Sequence, residues 1–143
     1  MVNYWLCVTN EDNWNKVKDQ KIWGVPEKRG RRQIEAVKPG DHLVFYVIPK
    51  RIGGIFKAIS EPFEDKEKSV FSWTDFGRYE FFPYRVKLEP VILAKQPIPV
   101  DKLIGKLSFS KREKRWSVFL RRAMLQITKC DYESLRALII KKR

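Results

Sequence analysis

Residues 38–59 read KPGDHLVFYVIPKRIGGIFKAI, and they predict a turn followed by two strands. The Pro-Gly pair at 39–40 predicts a turn, because proline presets the backbone and glycine adopts the unusual angles that turns require. Residues 42–48 are rich in Val, Phe and Tyr, which strands favour. A second apolar run, at 53–59, follows after a short connection. Two such runs in succession predict neighbouring strands of one sheet.

Further strands are predicted on both sides of this stretch. Residues 4–8 form a short apolar run that ends at polar residues, which is typical of a first strand. Residues 84–93 alternate apolar and charged side chains, the pattern of a strand with one buried face. Residues 124–128 suit a closing strand. Residues 70–82 carry six aromatic rings and predict a long loop or broken strand that covers the core or walls a pocket.

Short helices separate these strands. The predicted helices span residues 14–20, 31–37, 111–122 and 132–142. Asp12 or Asn13 is the expected N-cap of the first helix. Residues 22–26 contain Gly and Pro, which predict an irregular loop. The sum is an α+β protein in which about six short strands form a small curled sheet or barrel, with residues 1–143 in a single domain.

Length and composition indicate a globular protein. The chain has 143 residues, of which 43% are hydrophobic and 13% aromatic, enough to bury a core. Its apolar runs fall short of the roughly 20 residues that a membrane-spanning helix needs, and its start lacks the pattern of a signal peptide. We therefore expect a cytoplasmic protein with no membrane partner. A Lys- and Glu-rich composition with few Asn and Gln also favours a thermophilic source.

Net charge is the feature that indicates a partner. The chain has 30 Lys and Arg against 17 Asp and Glu, a formal net charge of +13. An excess of one sign on a small domain favours an anionic partner, and nucleic acid fits this charge best. A membrane surface would instead require a basic amphipathic helix and a second anchor.

The side chains that catalysis or metal binding requires are few. His42 is the only histidine, and a single histidine at the start of a strand is more often structural than a general base. No serine lies in a nucleophile-elbow pattern, and no phosphate-binding glycine motif is present. Cys7 and Cys130 lack the spacing of a zinc site. We therefore expect no enzymatic activity, no metal and no cofactor.

Basic residues cluster beside aromatic segments. Such clusters hold the phosphates of a nucleic acid while aromatic rings stack on its bases. Trp23 lies in the predicted loop rather than on an apolar stripe, so it either packs in the core or serves a binding site. The expected phosphate-binding residues are Lys28, Arg29, Arg31, Arg32, Arg112 and Arg115.

An ordered set of short motifs resembles the EVE domain family over roughly residues 2–140. The motifs are Tyr4-Trp5-Leu6, Trp23-Gly24-Val25, the turn at 38–41 with Val44-Phe45-Tyr46, Gly53-Gly54-Ile55 and the closing Leu125-Gln126-Ile127-Thr128. The resemblance implies a PUA-like fold, a small curved β-barrel with short peripheral helices. It also implies a relationship to YTH domains, which bind methylated adenine in RNA by taking the flipped base into an aromatic cage.

The resemblance further implies which residues bind the base. The first ring of the cage matches Trp23, and the best match for the second ring is Trp73. An asparagine at the mouth of the first helix matches Asn10 or Asn13. The whole expected pocket comprises Trp23, Asn10, Asn13, Gly24, Val25, Tyr46 and Trp73. Where many EVE sequences continue Phe-Tyr with His-Ser, this chain continues with Val-Ile, which reduces the polar lining of the pocket.

These features together predict a non-enzymatic nucleic-acid-binding module that binds a modified, for example methylated, base of RNA or DNA. The alternative is a general RNA-binding module of PUA type without selectivity for modification. An enzyme that acts on nucleic acid or on a small molecule is a third interpretation, which the scarcity of catalytic residues disfavours.

Overall fold

The structure is a computed structural model that describes residues 2–25, 30–48, 50–65, 72–75, 78–81, 83–100 and 123–142, with 72–75 and 78–81 described through their backbone. Its elements in chain order are β1 (Tyr4–Thr9), α1 (Glu11–Gln20), β2 (Ile22–Val25), α2 (Arg31–Glu35), β3 (His42–Val47), β4 (Arg51–Ala58), β5 (Phe63–Glu64), β6 (Ser72–Asp75), β7 (Arg78–Phe81), β8 (Tyr84–Pro99), β9 (Met124–Ile127) and α3 (Lys129–Lys142).

One mixed sheet organises the described part of the chain. Six strands neighbour one another in the order β2-β8-β4-β3-β1-β9, and β5 also pairs with β8. β1 and β3 are parallel, whereas the other neighbouring strands are antiparallel. β6 and β7 pair with each other. The fold is therefore the α+β arrangement of a small curled sheet with short helices that the sequence predicts.

Irregular pairing curls this sheet. β8 has 16 residues, of which the first pair with β2 and the later ones with β4. The register between β4 and β8 shifts twice, and the register between β3 and β4 shifts between Phe45 and Tyr46. Such bulges bend a strand and increase its twist, so they curve the sheet into a half-barrel.

Two hydrophobic cores lie on opposite faces of the sheet, and β3 contributes to both. The first core includes Trp5, Trp14, Trp23, Ile34, Phe45, Phe56 and Val86. The second core includes Leu6, Val44, Tyr46, Ile55, Tyr132, Leu135 and Ile139. Successive side chains of a strand point to opposite faces, so neighbours such as Phe45 and Tyr46 enter different cores. A strand that is covered on both faces must be apolar throughout, which explains the almost continuous apolar run in β3.

The two glycines of β4 allow close contacts, Gly53 with α1 and Gly54 with β8. A Cβ atom at Gly53 would lie 2.5 Å from Cε2 of Trp14, and one at Gly54 would lie 2.9 Å from the carbonyl oxygen of Ile92. Real Cβ atoms do not approach other atoms this closely. The absence of a side chain at Gly53 therefore lets the Trp14 ring lie directly on the backbone of β4, and its absence at Gly54 lets β8 approach closely.

Two local predictions are wrong. The N-cap of α1 is Asn10 rather than Asp12 or Asn13, and its Oδ1 accepts a hydrogen bond of 2.8 Å from the backbone N–H of Asn13. All three residues are good capping types, so composition could not choose among them. Ile22–Val25 forms strand β2 rather than an irregular loop, because β8 pairs with every residue of the segment.

The other elements agree with the predictions apart from their lengths. β1, β9 and α3 are confirmed, although α3 begins earlier, at Lys129, and β8 continues further, to Pro99. The segment at 70–82 contains the short strands β6 and β7, so its interpretation as a broken strand is the closer one. The helix predicted at 111–122 lies outside the described residues. Within the described ranges, no helix has the length and apolar character needed to span a membrane.

Candidate nucleic-acid interface

Trp23 lies in β2 and is positioned by the pairing of that strand with β8. Its partner in the antiparallel register is Val86. The side chain of Trp23 is 1% exposed, and its ring meets Phe45 edge-on with ring centroids 5.3 Å apart. Trp14 of α1 also contacts the Phe45 ring, with a centroid distance of 5.3 Å. The structure therefore places Trp23 in the first core, within a cluster of aromatic rings.

The two candidate asparagines have different environments in the structure. Asn10 caps α1, so its side-chain oxygen is already used. Asn13 is 0% exposed and lies with Trp14 and Val17 on the buried face of α1. Among the residues that the structure describes, neither Oδ1 nor Nδ2 of Asn13 has a hydrogen-bond partner. A buried amide without partners costs about 1–3 kcal/mol, so this side chain requires an explanation that the fold alone does not supply.

α2 brings one predicted phosphate-binding residue close to the end of β2. The guanidinium carbon of Arg31 lies 4.8 Å from the centre of the Tyr84 ring, and its Nε lies 2.9 Å from Glu35 Oε1. Tyr84 is the register partner of Val25, two residues after Trp23. A Cβ atom at Gly30 would lie 3.0 Å from the Val25 side chain, so this glycine allows α2 to pack closely on β2.

The other predicted site residues are placed differently. Gly24 and Val25 follow Trp23 within β2. Tyr46 lies in the second core, and its hydroxyl accepts a 2.9 Å hydrogen bond from Lys50 N, so the structure does not bring it to Trp23. Arg32 is exposed on α2. Trp73 lies in β6, whose side chains lie outside the described part of the structure, as do the whole residues Lys28, Arg29, Arg112 and Arg115.

His42 has a partner that the sequence did not reveal. Its Nδ1 lies 2.6 Å from the hydroxyl oxygen of Tyr132, and the Tyr132 ring stacks on Tyr4 with a centroid distance of 4.4 Å. Burial lowers the pKa of His42, and the nearby charges of Lys57 and Arg136 lower it further. Burial also raises the pKa of Tyr132. At neutral pH the pair is therefore a neutral imidazole beside a protonated phenol.

This environment makes stability depend on pH. The folded protein holds the pKa of His42 below its ordinary value of 6.5, so on acidification the unfolded chain binds a proton before the folded one does. We expect the free energy of unfolding to fall from about pH 6.5 downwards until the lowered pKa is passed. Denaturant titrations of the wild type and of His42→Gln at several pH values test this, because the difference between their curves isolates His42. Parallel curves would exclude the effect.

Asp41 holds the turn before β3 against β1. Its carboxylate is 1% exposed. Oδ1 accepts a hydrogen bond from Asn3 N at 3.0 Å, and Oδ2 accepts from Trp5 Nε1 at 3.1 Å and from Lys38 N at 3.0 Å. The sequence predicts Asp41 only as part of a turn. It does not reveal this role, because two of the three hydrogen-bond partners lie more than thirty positions away in the chain.

The described residues offer little for metal or thiol chemistry. Within them, no group of three or more His, Cys, Asp or Glu side chains could hold a metal ion. Both cysteines are free thiols. Cys7 is buried, and burial raises the pKa of its thiol, so it stays in the unreactive protonated form.

Comparison with known proteins shows which family this chain resembles. The EVE domain model matches residues 3–138. A UPF0310 protein of Pyrococcus abyssi is 40% identical over 148 residues, covering 96% of this chain and 100% of the relative. A hypothetical protein from Leishmania major superposes with a TM-score of 0.66 at 15% identity, covering 99% of this chain and 96% of the other. The YTH domain-containing protein Mmi1, solved in complex with RNA, has a TM-score of 0.65 at 13% identity, covering 96% and 81%. The chain belongs to the EVE domain family.

Proposed function

We propose that this EVE domain is a non-enzymatic nucleic-acid-binding module that takes a modified base into a site formed by Trp23 and Asn13. The observation that carries the proposal is the fully buried amide of Asn13, which lacks hydrogen-bond partners within the described residues. A YTH protein of the same fold is solved with RNA, which supports RNA as the partner. The net charge of +13 supports an anionic partner independently of any relative.

Basic side chains supply the affinity for the backbone in this proposal. Each Lys or Arg that neutralises a phosphate releases counterions, so binding is independent of sequence and weakens as salt is added. Arg31 is suited to this role because its side chain is 48% exposed while Tyr84 and Glu35 hold it near the end of β2. Exposed Arg32, on the same helix, adds a second charge. We place this activity in the cytoplasm, as the sequence predicts.

The amide of Asn13 supplies the recognition of the base. A carboxamide offers one oxygen acceptor and two N–H donors, which matches the mixed donors and acceptors at the edge of a nucleobase. Bonds to a bound base would satisfy atoms that are otherwise unpaired, so binding recovers a cost that the free protein carries. This is a direct physical reason to keep a polar side chain in an apolar interior.

Trp23 supplies the stacking surface, and its burial adds to the free-energy cost of bringing a base into the site. At 1% exposure the ring can receive a base only after the side chains that cover it move aside. Extruding a base costs a few kcal/mol, and stacking on an aromatic ring returns about 1–3 kcal/mol. One buried methyl group adds about 0.8 kcal/mol, only a several-fold preference. Strong selectivity therefore has to come from the shape of the site and from the Asn13 hydrogen bonds.

The same burial favours the alternative function, a general RNA-binding module of PUA type. In that interpretation the edge-on contact between Trp23 and Phe45 is core packing, and the exposed charges alone bind RNA. Substitution of Arg31 and Arg32 would then weaken binding, whereas substitution of Trp23 or Asn13 would change only stability. The two functions therefore differ in what Asn13 does.

Asn13→Leu tests the proposal, because leucine has nearly the same shape and no polar atoms. We expect the free energy of unfolding to stay the same or rise by about 1–3 kcal/mol, since the unpaired amide is removed. The preference for a modified base should disappear. Binding is measured to matched single- and double-stranded RNA and DNA, each with and without a methylated or hydroxymethylated base, at two salt concentrations.

Asn15→Leu is the matched control, because Asn15 is exposed on the same helix. It should leave both stability and base preference unchanged. If leucine at position 13 prevents folding, Asn13→Ala provides the same test with a smaller side chain. A modification preference that survives in a folded Asn13 variant contradicts the proposal. Affinity that ignores modification in the wild type and collapses with salt establishes the alternative function.

A further inference from the structure

A second candidate site lies on the opposite side of the sheet from Trp23. An open cleft of about 600 Å³ is lined by the start of β3 and by α3. His42 lines it from the strand, and Tyr132, Arg136, Ile140 and Lys141 line it from the helix. Tyr132 belongs to the second core, whereas Trp23 belongs to the first. The cleft is therefore distinct from the proposed base site.

Two cations in the lining of this cleft have no ion-pair partner among the described residues. Arg136 and Lys141 are exposed, and neither forms an ion pair or a hydrogen bond with another described residue through its charged group. Their spacing of five positions places them about a turn and a half apart on α3. Arg136 also lies close enough to His42 to affect its protonation. Arg136 and Lys141 thus bring two positive charges to the lining of the cleft, against the single negative charge of Glu133 among the described lining residues.

His42 adds a neutral donor to this charge. The 2.6 Å contact with Tyr132 engages Nδ1, and the raised pKa of the phenol keeps its proton on the oxygen. A phenol is the stronger donor and an imidazole nitrogen the stronger acceptor, so Tyr132 donates to Nδ1. The remaining hydrogen of the neutral ring is then on Nε2. Stacking of Tyr4 on Tyr132 fixes the partner and hence this tautomer.

We infer that this cleft binds the phosphate group of a nucleotide, either a free mononucleotide or the terminal nucleotide of a strand. Arg136, Lys141 and the Nε2 hydrogen of His42 provide donors for the phosphate oxygens. Ile140, which is 47% exposed, offers an apolar surface for the sugar or base. Glu133, the one acid among the described lining residues, can accept a hydrogen bond from a sugar hydroxyl. The volume lies within the usual range for small-molecule sites, roughly 300–1,000 Å³.

His42 is also the reporter for the test, because a single histidine gives one unambiguous imidazole signal in NMR spectra. We expect adenosine 5′-monophosphate to shift this signal and to raise the pKa of His42, since a bound anion favours the protonated ring. Adenosine without the phosphate should bind at least tenfold more weakly. An oligonucleotide with a 5′-phosphate, compared with its 5′-hydroxyl counterpart, distinguishes a strand end from the free nucleotide as the ligand.

Two double variants distinguish binding in the cleft from a general electrostatic attraction between the basic protein and the phosphate. Arg136→Gln with Lys141→Gln should weaken binding of the monophosphate at least tenfold. Lys16→Gln with Lys95→Gln removes the same charge from residues that do not line the cleft, and should leave binding nearly unchanged. Trp23→Phe should not change the His42 response, so this inference can fail or succeed independently of base recognition. Equal responses to adenosine and its monophosphate, or equal losses in the two paired variants, would overturn it.

Discussion

Replacing Trp23 with alanine is expected to abolish the preference for a modified base while leaving binding that depends on salt. The two effects separate because stacking on Trp23 and neutralisation of phosphates act on different parts of the ligand. Loss of one stacking surface removes about 1–3 kcal/mol from the bound modified base, up to about a hundredfold in affinity. Arg31 and the other basic residues remain, so background affinity at low salt should persist.

Trp23→Ala should also destabilise the fold strongly, and this loss of stability has to be distinguished from the loss of base binding. Trp23 is 1% exposed and contacts Phe45, so removing its ring from the first core should cost about 3–5 kcal/mol. Binding is therefore measured together with thermal unfolding, at temperatures where each variant is folded. Trp23→Phe retains a ring at lower structural cost and should retain part of the preference.

Phe56→Ala is the matched control for this experiment. Phe56 is fully buried in the same aromatic cluster, where it contacts Trp14 and Phe45 edge-on. Its loss should destabilise the fold by a similar amount, about 3–5 kcal/mol, without removing the stacking surface in β2. If Phe56→Ala reduces the modification preference as much as Trp23→Ala, the effect is one of stability. If a folded Trp23→Ala protein keeps the preference, Trp23 is core packing and the modified base is bound at another site.

The sequence predicts the sheet well because β3 is covered on both faces. A continuous apolar run in the Val- and Phe-rich segment has few alternatives to a buried strand. The two glycines of β4 were visible in the sequence, but their purpose was not, since the ring that lies against Gly53 comes from Trp14, thirty-nine positions earlier. β2 was missed because Gly24 and the following proline indicate a loop, whereas pairing with β8 decides the outcome.

The sequence likewise predicts one part of the candidate site and not the rest. The motif order indicated Trp23 and an asparagine, but composition could not distinguish Asn10 from Asn13, since both are good capping residues at the start of one helix. Burial and hydrogen bonding distinguish them, and these depend on the whole fold. The contact between His42 and Tyr132 joins residues ninety positions apart. Local patterns contain no information about such a pair.

Asp41→Ala is expected to be among the most destabilising single substitutions in this protein. The carboxylate accepts three hydrogen bonds, two from backbone N–H groups of Asn3 and Lys38 and one from the indole N–H of Trp5. Alanine leaves these donors without an acceptor at a site that is 1% exposed. A buried donor left unpaired costs about 1–3 kcal/mol, so we expect a total loss of about 2–5 kcal/mol of unfolding free energy.

Denaturant unfolding measures this loss, and two further variants identify its cause. Asp41→Asn keeps one oxygen acceptor and should lose less stability than Asp41→Ala. Trp5→Phe removes the indole donor, so its combination with Asp41→Ala should be less destabilising than the sum of the two single changes, because the unpaired N–H is then absent. Strict additivity would show that the contact between Trp5 and Asp41 contributes nothing. In that case Asp41 acts only through its hydrogen bonds with the backbone N–H groups of Asn3 and Lys38.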